Sequence, residues 1–159
     1  MALIVENGTG LADADAYISV SEADAYHASY GNDAWTDLTD PQKEIAIRRA
    51  TQYVDANFRF RGVKKFVAQR LEHPRVGYAD REVWPEVALS QATAELALRA
   101  SAGPLLDDAE SEVILREVVG PIRTDYAFKD AETRFTVVER LLSKLAYIGD
   151  GSLRISLSG

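Results

Sequence analysis

The stretch Thr39-Asp-Pro-Gln-Lys-Glu-Ile-Ala-Ile-Arg-Arg-Ala-Thr-Gln-Tyr-Val54 carries the strongest helix-start signal in the chain. Thr39 precedes Pro41, and a capping residue followed by proline near the first helical position is a typical helix start. Ile47, Ala50 and Val54 then recur at intervals of three and four residues, which places them on one face of a helix. We therefore expect an amphipathic helix whose apolar face packs into a core.

Three further helices are predicted on either side of this one. The first spans about 21–30, with Ser21 as its N-cap and Gly31 at its end, and the fourth spans about 130–147. The third spans about 85–102 and is apolar on two sides, formed by Leu89 and Leu96 on one and Val87 and Leu98 on the other. Such a helix is either central in a small bundle or packed against a second subunit on one side.

Alternating apolar and polar residues predict two extended segments. One is a β-hairpin or arm at about 111–128, between helices three and four, and the other is a strand-like tail at 149–159. The sequence thus predicts a mainly α fold, a small four-helix bundle with an inserted hairpin. We expect one helical domain at 1–148 and a C-terminal extended arm at 149–159.

Composition excludes several classes of protein. The 159 residues have no cysteine and two histidines, so a disulfide framework, a thiolate zinc site and a three-histidine metal site are impossible. The longest apolar runs are far shorter than the roughly 20 residues of a membrane-spanning helix, and the N-terminus does not resemble a signal peptide. We expect a protein without a membrane role that is made in a cytoplasm.

The net charge of −7 is unevenly distributed along the chain. Residues 1–47 have nine acids and one lysine, residues 48–75 have eight bases and two acids, and residues 76–159 have nine bases and fourteen acids. The basic segment favours either ion pairs with nearby acids or contact with nucleic acid, since phosphate affinity comes mainly from Lys and Arg. Within it, Phe58, Phe60 and Phe66 alternate with bases, either as stacking platforms for a single strand or as core residues.

The sequence contains no motif that indicates catalysis. Phosphate-binding loops, a nucleophile elbow and a zinc-protease motif are all missing from it. His27 near Asp24 and His73 beside Glu72 are the available acid–base pairs, and both are more typical of packing than of an active site. We therefore predict no catalytic, metal-binding or cofactor-binding residue, no cofactor, and a protein that is not an enzyme.

The opening of the chain resembles a family of tailed-phage proteins. The similarity lies in the block from Gly8-Thr-Gly10 to His27, then in Gly31-Asn32, Ala34-Trp35, Arg48-Arg49-Ala50-Thr51, Phe60-Arg61-Gly62, Pro74-Arg75-Val76-Gly77 and Val119-Gly120-Pro121. The family is described as DnaT-like and single-stranded-DNA-binding, and its members resemble head–tail connector (adaptor) proteins. This chain departs from the pattern at His73, where the family has an aromatic residue, and at Val83-Trp84-Pro85.

The resemblance implies a structural adaptor in the virion neck. It would form a ring of about twelve copies below the portal protein, extend the channel for double-stranded DNA without binding it specifically, and dock the next neck or tail protein. The expected subunit contacts are Leu89, Leu96, Val87, Leu98, Arg59, Arg61, Lys64 and Lys65. The expected contacts with the portal or neck protein are Ile122, Tyr126, Phe128, Leu153, Arg154, Ile155 and Leu157. The alternative is a single-stranded-DNA-binding module that uses the segment 58–75.

Overall fold

The computed structural model describes residues 2–77, 87–105, 118–119, 122–123 and 135–148. Within these residues the fold is mainly helical, as predicted, with small two-stranded antiparallel sheets. The helices are α1 (Val20–Tyr30), α2 (Asp33–Thr36), α3 (Asp40–Asn57), α4 (Val87–Ala102) and α5 (Thr136–Leu142). The strands are β1 (Phe58–Phe60), β2 (Val63–Lys64), β3 (Arg75–Val76), β4 (Val118–Val119), β5 (Ile122–Arg123) and β6 (Ala146–Ile148). None of the described helices is long and apolar enough to cross a bilayer.

Local capping chemistry sets the starts of the first two long helices. α3 begins after Thr39, whose backbone amide donates to Gln42 at 2.9 Å, and Pro41 lies in its first turn, as predicted. The N-cap of α1 is Ser19 and not Ser21, so that prediction is wrong. Ser19 is preferred because Glu22, three residues on, accepts its amide at 2.7 Å while Ser19 Oγ accepts the Glu22 amide at 3.2 Å, which completes a capping box.

The core lies where α4 packs between α3 and α5. The predicted apolar face of α3 is confirmed, since Ile47, Ala50 and Val54 are fully buried. On α4, Leu89 and Leu96 are buried in the same core. Burying side chains of this size stabilises the fold by roughly 1.5–3 kcal/mol each, so these positions hold the helices together.

The chain turns from helix to strand earlier than the sequence predicts near residue 142. Helix α5 ends at Leu142, and Ala146–Ile148 forms β6 instead of the last turn of a helix running to 147. The reason is non-local: β6 pairs antiparallel with β1, which follows directly from α3. The Arg61 amide also donates to the Leu145 carbonyl at 2.9 Å and extends this pairing. The β1–β6 ribbon thus ties the end of α3 to the end of α5.

The N-terminal segment, residues 2–19, is organised around one buried carboxylate. Glu6 Oε1 accepts the amides of Asn7, Gly8 and Gly10 at 2.9–3.1 Å, and Oε2 accepts the Leu11 amide at 2.8 Å. Glu6 is only 2% exposed. Both glycines have positive φ, 88° and 80°, a region that other residues seldom adopt. The Gly8-Thr-Gly10 motif therefore lets the backbone wrap around its own glutamate.

The predicted hairpin and tail fall largely outside the described residues. β4 pairs antiparallel with β5 inside the stretch 111–128, which fits a hairpin at this place. Tyr126 and Phe128 lie outside the described residues, as do Leu153, Arg154, Ile155 and Leu157. Pro85, the predicted start of the third helix, also lies outside them. The fourth helix does not run unbroken from about 130 as predicted, because Phe135 has non-helical dihedrals and α5 begins at Thr136.

Candidate nucleic-acid interface

The basic segment folds into β1 and a loop that we call the basic loop, residues 61–76. Its hairpin β2–β3 pairs Val63 with Val76 and Lys64 with Arg75. The far side of the loop rests on the N-terminal segment, where Lys65 Nζ donates to the Gly8 carbonyl at 3.1 Å and the Arg70 amide donates to the Leu11 carbonyl at 3.1 Å. The turn around Glu6 therefore packs against the basic loop and is hydrogen-bonded to it.

Four of the eight bases in residues 48–75 are used within the protein itself. Arg48 Nε bonds Asp15 at 2.8 Å, and Lys65 bonds the Gly8 carbonyl. Lys64 Nζ lies 2.9 Å from Glu72 Oε1, and Arg75 pairs with the same carboxylate. These two cations hold the pKa of Glu72 below its usual value, although burial opposes them. The predicted ion-pairing role is therefore confirmed for Arg48, Lys64 and Arg75, while Lys65 bonds a backbone carbonyl.

The other four bases of residues 48–75 are all arginines. Arg49, Arg59, Arg61 and Arg70 are exposed, and none of them makes an ion pair with another described residue. Arg49 lies apart from the rest, beside a groove of about 600 Å³ between α3 and the end of α4. The remaining three lie on β1 and the basic loop, so most of the exposed, unpaired bases of residues 48–75 are found there.

The β1–β6 ribbon places an aromatic ring directly beside this charge. Tyr147 is 60% exposed and is the cross-strand partner of Arg59. Directly opposed residues of an antiparallel pair lie on the same face, with Cβ atoms about 4.5–5.5 Å apart. Arg61 follows β1 directly, is exposed like Arg59, and continues the pairing through its amide bond to the Leu145 carbonyl. We call Arg59, Arg61 and Tyr147 the ribbon face.

The phenylalanines of the segment are placed differently from the stacking prediction. Phe58 and Phe60 are each 4% exposed and point into the core, so the interpretation of them as stacking platforms is wrong. Strand alternation explains this, because the same pleat that exposes Arg59 buries both of its neighbours. Phe66 is 53% exposed and lies in the basic loop beside exposed Val67.

Both histidines are buried, and the ring of His73 lies 5.4 Å from that of Phe60. His27 is fully buried, with Nε2 lying 3.1 Å from the Ala94 carbonyl and Nδ1 lying 3.0 Å from the Asn32 amide nitrogen. The second contact makes Nδ1 the acceptor, so the ring is neutral and donates from Nε2. Burial lowers the pKa of His27, in agreement with this assignment. His27 therefore joins α1 to α4, and its ring nitrogens bond Ala94 and Asn32 and not the Asp24 carboxylate.

The comparisons with known proteins bear on what this surface is for. No curated protein and no solved structure matches the chain. One family model matches residues 1–157, and its family is described as "Putative DnaT-like ssDNA binding protein". The chain belongs to this family. The DnaT-like family thus covers nearly the whole sequence, including the Gly8-Thr-Gly10 turn, α1 to α5 and the basic loop.

The residues expected at subunit contacts divide into two groups in this DnaT-like chain. Leu89 and Leu96 are buried within the protein, so they have no surface to offer a second subunit, and the prediction is corrected for these two. Val87 is 63% exposed and Leu98 is partly buried. For Val87, Leu98 and the basic residues the subunit contact stays a prediction.

Sequence reasoning missed Tyr147 because it lay in a predicted helix. Its helical neighbours Val138, Leu142 and Leu145 keep an apolar spacing that continues towards 147. Only the run Ala146-Tyr-Ile148, rich in residues that favour strands, carried a contrary signal. Its pairing partner lies almost ninety residues earlier, so no local pattern could have placed Tyr147 opposite Arg59.

Proposed function

We propose that this protein binds single-stranded DNA through the ribbon face and the adjoining basic loop. The observation that carries the proposal is the cross-strand pair of Arg59 and Tyr147, both exposed, on a strand pair whose other face buries Phe58, Phe60 and Ala146. An unpaired base can stack on an exposed aromatic ring, and adjacent guanidinium groups neutralise the phosphates of the strand. The description of the DnaT-like family supports the same function.

The overall charge of the chain restricts how this binding works. With a net charge of −7 the rest of the surface repels phosphates, so contact is confined to the cationic area. Arg61 and Arg70 extend that area from the ribbon into the basic loop, and exposed Phe66 offers a second apolar ring in the same loop. This arrangement suits a short strand held at few phosphates, without catalysis.

The first prediction tests the ribbon face. The double substitution Arg59→Ala/Arg61→Ala is expected to reduce the salt dependence of oligothymidine binding, lowering the magnitude of the log–log slope by about 1.4, since each phosphate contact on a single strand contributes about 0.7. Tyr147→Ala is expected to weaken binding about tenfold through lost stacking. Fluorescence anisotropy over a series of salt concentrations measures both effects.

Matched variants separate a local site from general charge. Arg49→Ala/Arg140→Ala removes two exposed charges outside the ribbon face, and Tyr30→Ala removes an equally exposed ring at the end of α1. These controls should leave both slope and affinity close to those of the unmodified protein. Absence of any oligonucleotide binding at low salt, or equal losses in test and control variants, would overturn the proposal.

A second candidate function is that of a head–tail connector in the neck of a tailed phage. Two observations favour it: the acidic residues 1–47 and the basic segment 48–75 form separate parts of one chain, and the basic loop exposes Val63, Phe66 and Val67. Complementary patches on one chain suit head-to-tail contacts in a ring. We propose for this case a ring of about twelve copies between the portal and the next neck protein, with Val87 and Leu98 in subunit contacts.

The second prediction concerns this connector function in a phage that encodes the chain. Deleting its gene is expected to give DNA-filled heads without attached tails. Supplying a gene with the Val67→Asp substitution should rescue assembly poorly, because a charge would then be buried where the basic loop contacts a neighbouring subunit. Thr36→Asp, an exposed position on α2, is the matched control and should rescue fully. Electron microscopy of the particles gives the readout, and normally joined particles from the deletion would exclude a connector.

A further inference from the structure

One carboxyl group joins three separate segments of the chain. Asp55, near the end of α3, contacts the Tyr17 hydroxyl through Oδ1 and accepts the Glu72 amide through Oδ2 at 3.2 Å. Tyr17 is 3% exposed, and its hydroxyl also accepts the His73 amide at 3.0 Å. The N-terminal segment, α3 and the final part of the basic loop therefore meet at Asp55.

The cations near Asp55 form ion pairs with a different carboxylate. The titratable and charged groups that face Asp55 are Tyr17 from the N-terminal segment, Lys64 from β2, Glu72 and His73 from the basic loop, and Arg75 from β3. Lys64 and Arg75 both pair with Glu72. Asp55 is thus hydrogen-bonded to a phenol and an amide, and its nearest full charge of the same sign is Glu72.

This environment favours the protonated form of Asp55. Burial raises the pKa of Asp55 to about 6, while the bonds from Tyr17 and the Glu72 amide oppose that rise. His73 does not titrate in the same range, because burial and Arg75 lower its pKa to about 4. A neutral carboxyl still accepts from the Tyr17 hydroxyl and from the Glu72 amide, and it keeps both contacts without a buried charge.

The direction of the effect follows from linkage. When the loop opens, water reaches Asp55 and its pKa returns towards about 3.9. The closed form therefore holds the proton more tightly than the open form. Closure is favoured in full below pH about 4, and this extra stability is lost as pH rises through about 6.

We propose that Asp55 is a proton-dependent clamp on the basic loop: protonation fastens the loop to α3 and Tyr17, and ionisation loosens it. The clamp acts on the segment that presents Arg61 and Arg70, yet it does not depend on what that segment binds. It gives the protein a way to change the order of its basic loop across the pH range between about 5 and 8.

The third prediction tests the clamp by hydrogen exchange on the protein without any ligand. Protection of the Glu72 and His73 amides, corrected for the intrinsic effect of pH on exchange, is expected to fall about tenfold from pH 5 to pH 8. Asp55→Asn, which is neutral at every pH, should remove this dependence and keep protection high at pH 8. Asp33→Asn, an exposed acid at the start of α2, should behave like the unmodified protein.

A second measurement needs no substitution that affects folding. Carbon-13 NMR of the unmodified protein should show the Asp55 carboxyl titrating near pH 6. A midpoint near 4, or equal corrected protection at pH 5 and pH 8, would overturn the clamp. Because no DNA is present, a failed clamp leaves the DNA-binding proposal untouched, and lack of DNA binding leaves the clamp standing.

Discussion

Replacing Glu6 with alanine is expected to lower the free energy of unfolding by about 3–4 kcal/mol. The substitution deprives four backbone amides of their acceptor at once, and an unsatisfied buried donor costs roughly 1–3 kcal/mol. Partial access of water to Asn7 and Gly10 keeps the total below the sum of four such penalties. Urea denaturation followed by circular dichroism measures the change.

A graded series makes this fourth prediction specific. Glu6→Gln retains one oxygen, which can take the position that accepts three amides, so a loss of only about 1–2 kcal/mol is expected. Asp13→Asn, an exposed acid in the same part of the chain, should change stability by less than about 0.5 kcal/mol. Equal losses for Glu6→Ala and Asp13→Asn would show that the carboxylate does not organise the turn.

The same substitution should loosen the basic loop. Lys65 and Arg70 are attached to the carbonyls of Gly8 and Leu11, which lie in the turn that Glu6 shapes. A Cβ at Gly10 would lie 2.7 Å from Phe66 Cδ2, so the two segments are in close contact. Faster hydrogen exchange in residues 65–70 of Glu6→Ala would therefore accompany the loss of stability.

What could be predicted from the sequence is what local chemistry determines. The start of α3 follows from Thr39 and Pro41, and its buried face follows from the spacing of Ile47, Ala50 and Val54. Both depend on residues within a few turns of one another. The same reasoning placed the start of α1 two residues too late. Ser19 and Ser21 both have an acid three positions on, but only Ser19 has a glutamate there, and that glutamate completes the capping box.

The candidate site was predicted only as a segment, because its details depend on distant pairing. Which bases of residues 48–75 form ion pairs depends on Glu72 reaching Lys64 and Arg75 within the folded basic loop. Tyr147 joins Arg59 only when β6 pairs with β1. Glu6 looked like an ordinary surface acid after a short apolar stretch, and the two glycines that follow were the available signal that a backbone turn surrounds it.

The second of the large effects is expected at Trp35, in the short helix α2. Its ring is 1% exposed, lies 4.6 Å from the His27 ring and is covered by Lys43, whose Nζ is 5.8 Å from the ring centroid. Its Nε1 donates to Asp24 at 2.7 Å, and Asp24 also pairs with Lys43 at 2.9 Å. One side chain of α2 thus contacts both α1 and α3.

Trp35→Ala, the fifth prediction, should therefore cost about 3–5 kcal/mol, as expected for emptying a buried tryptophan site. Trp35→Phe keeps the contact with the His27 ring and leaves Asp24 paired with Lys43, so about 1–2 kcal/mol is expected. Tyr30→Ala, an exposed aromatic control on α1, should lie within about 0.5 kcal/mol of the unmodified protein. If Trp35→Ala unfolds at the same urea concentration as Tyr30→Ala, then α2 is not held to the bundle by this ring.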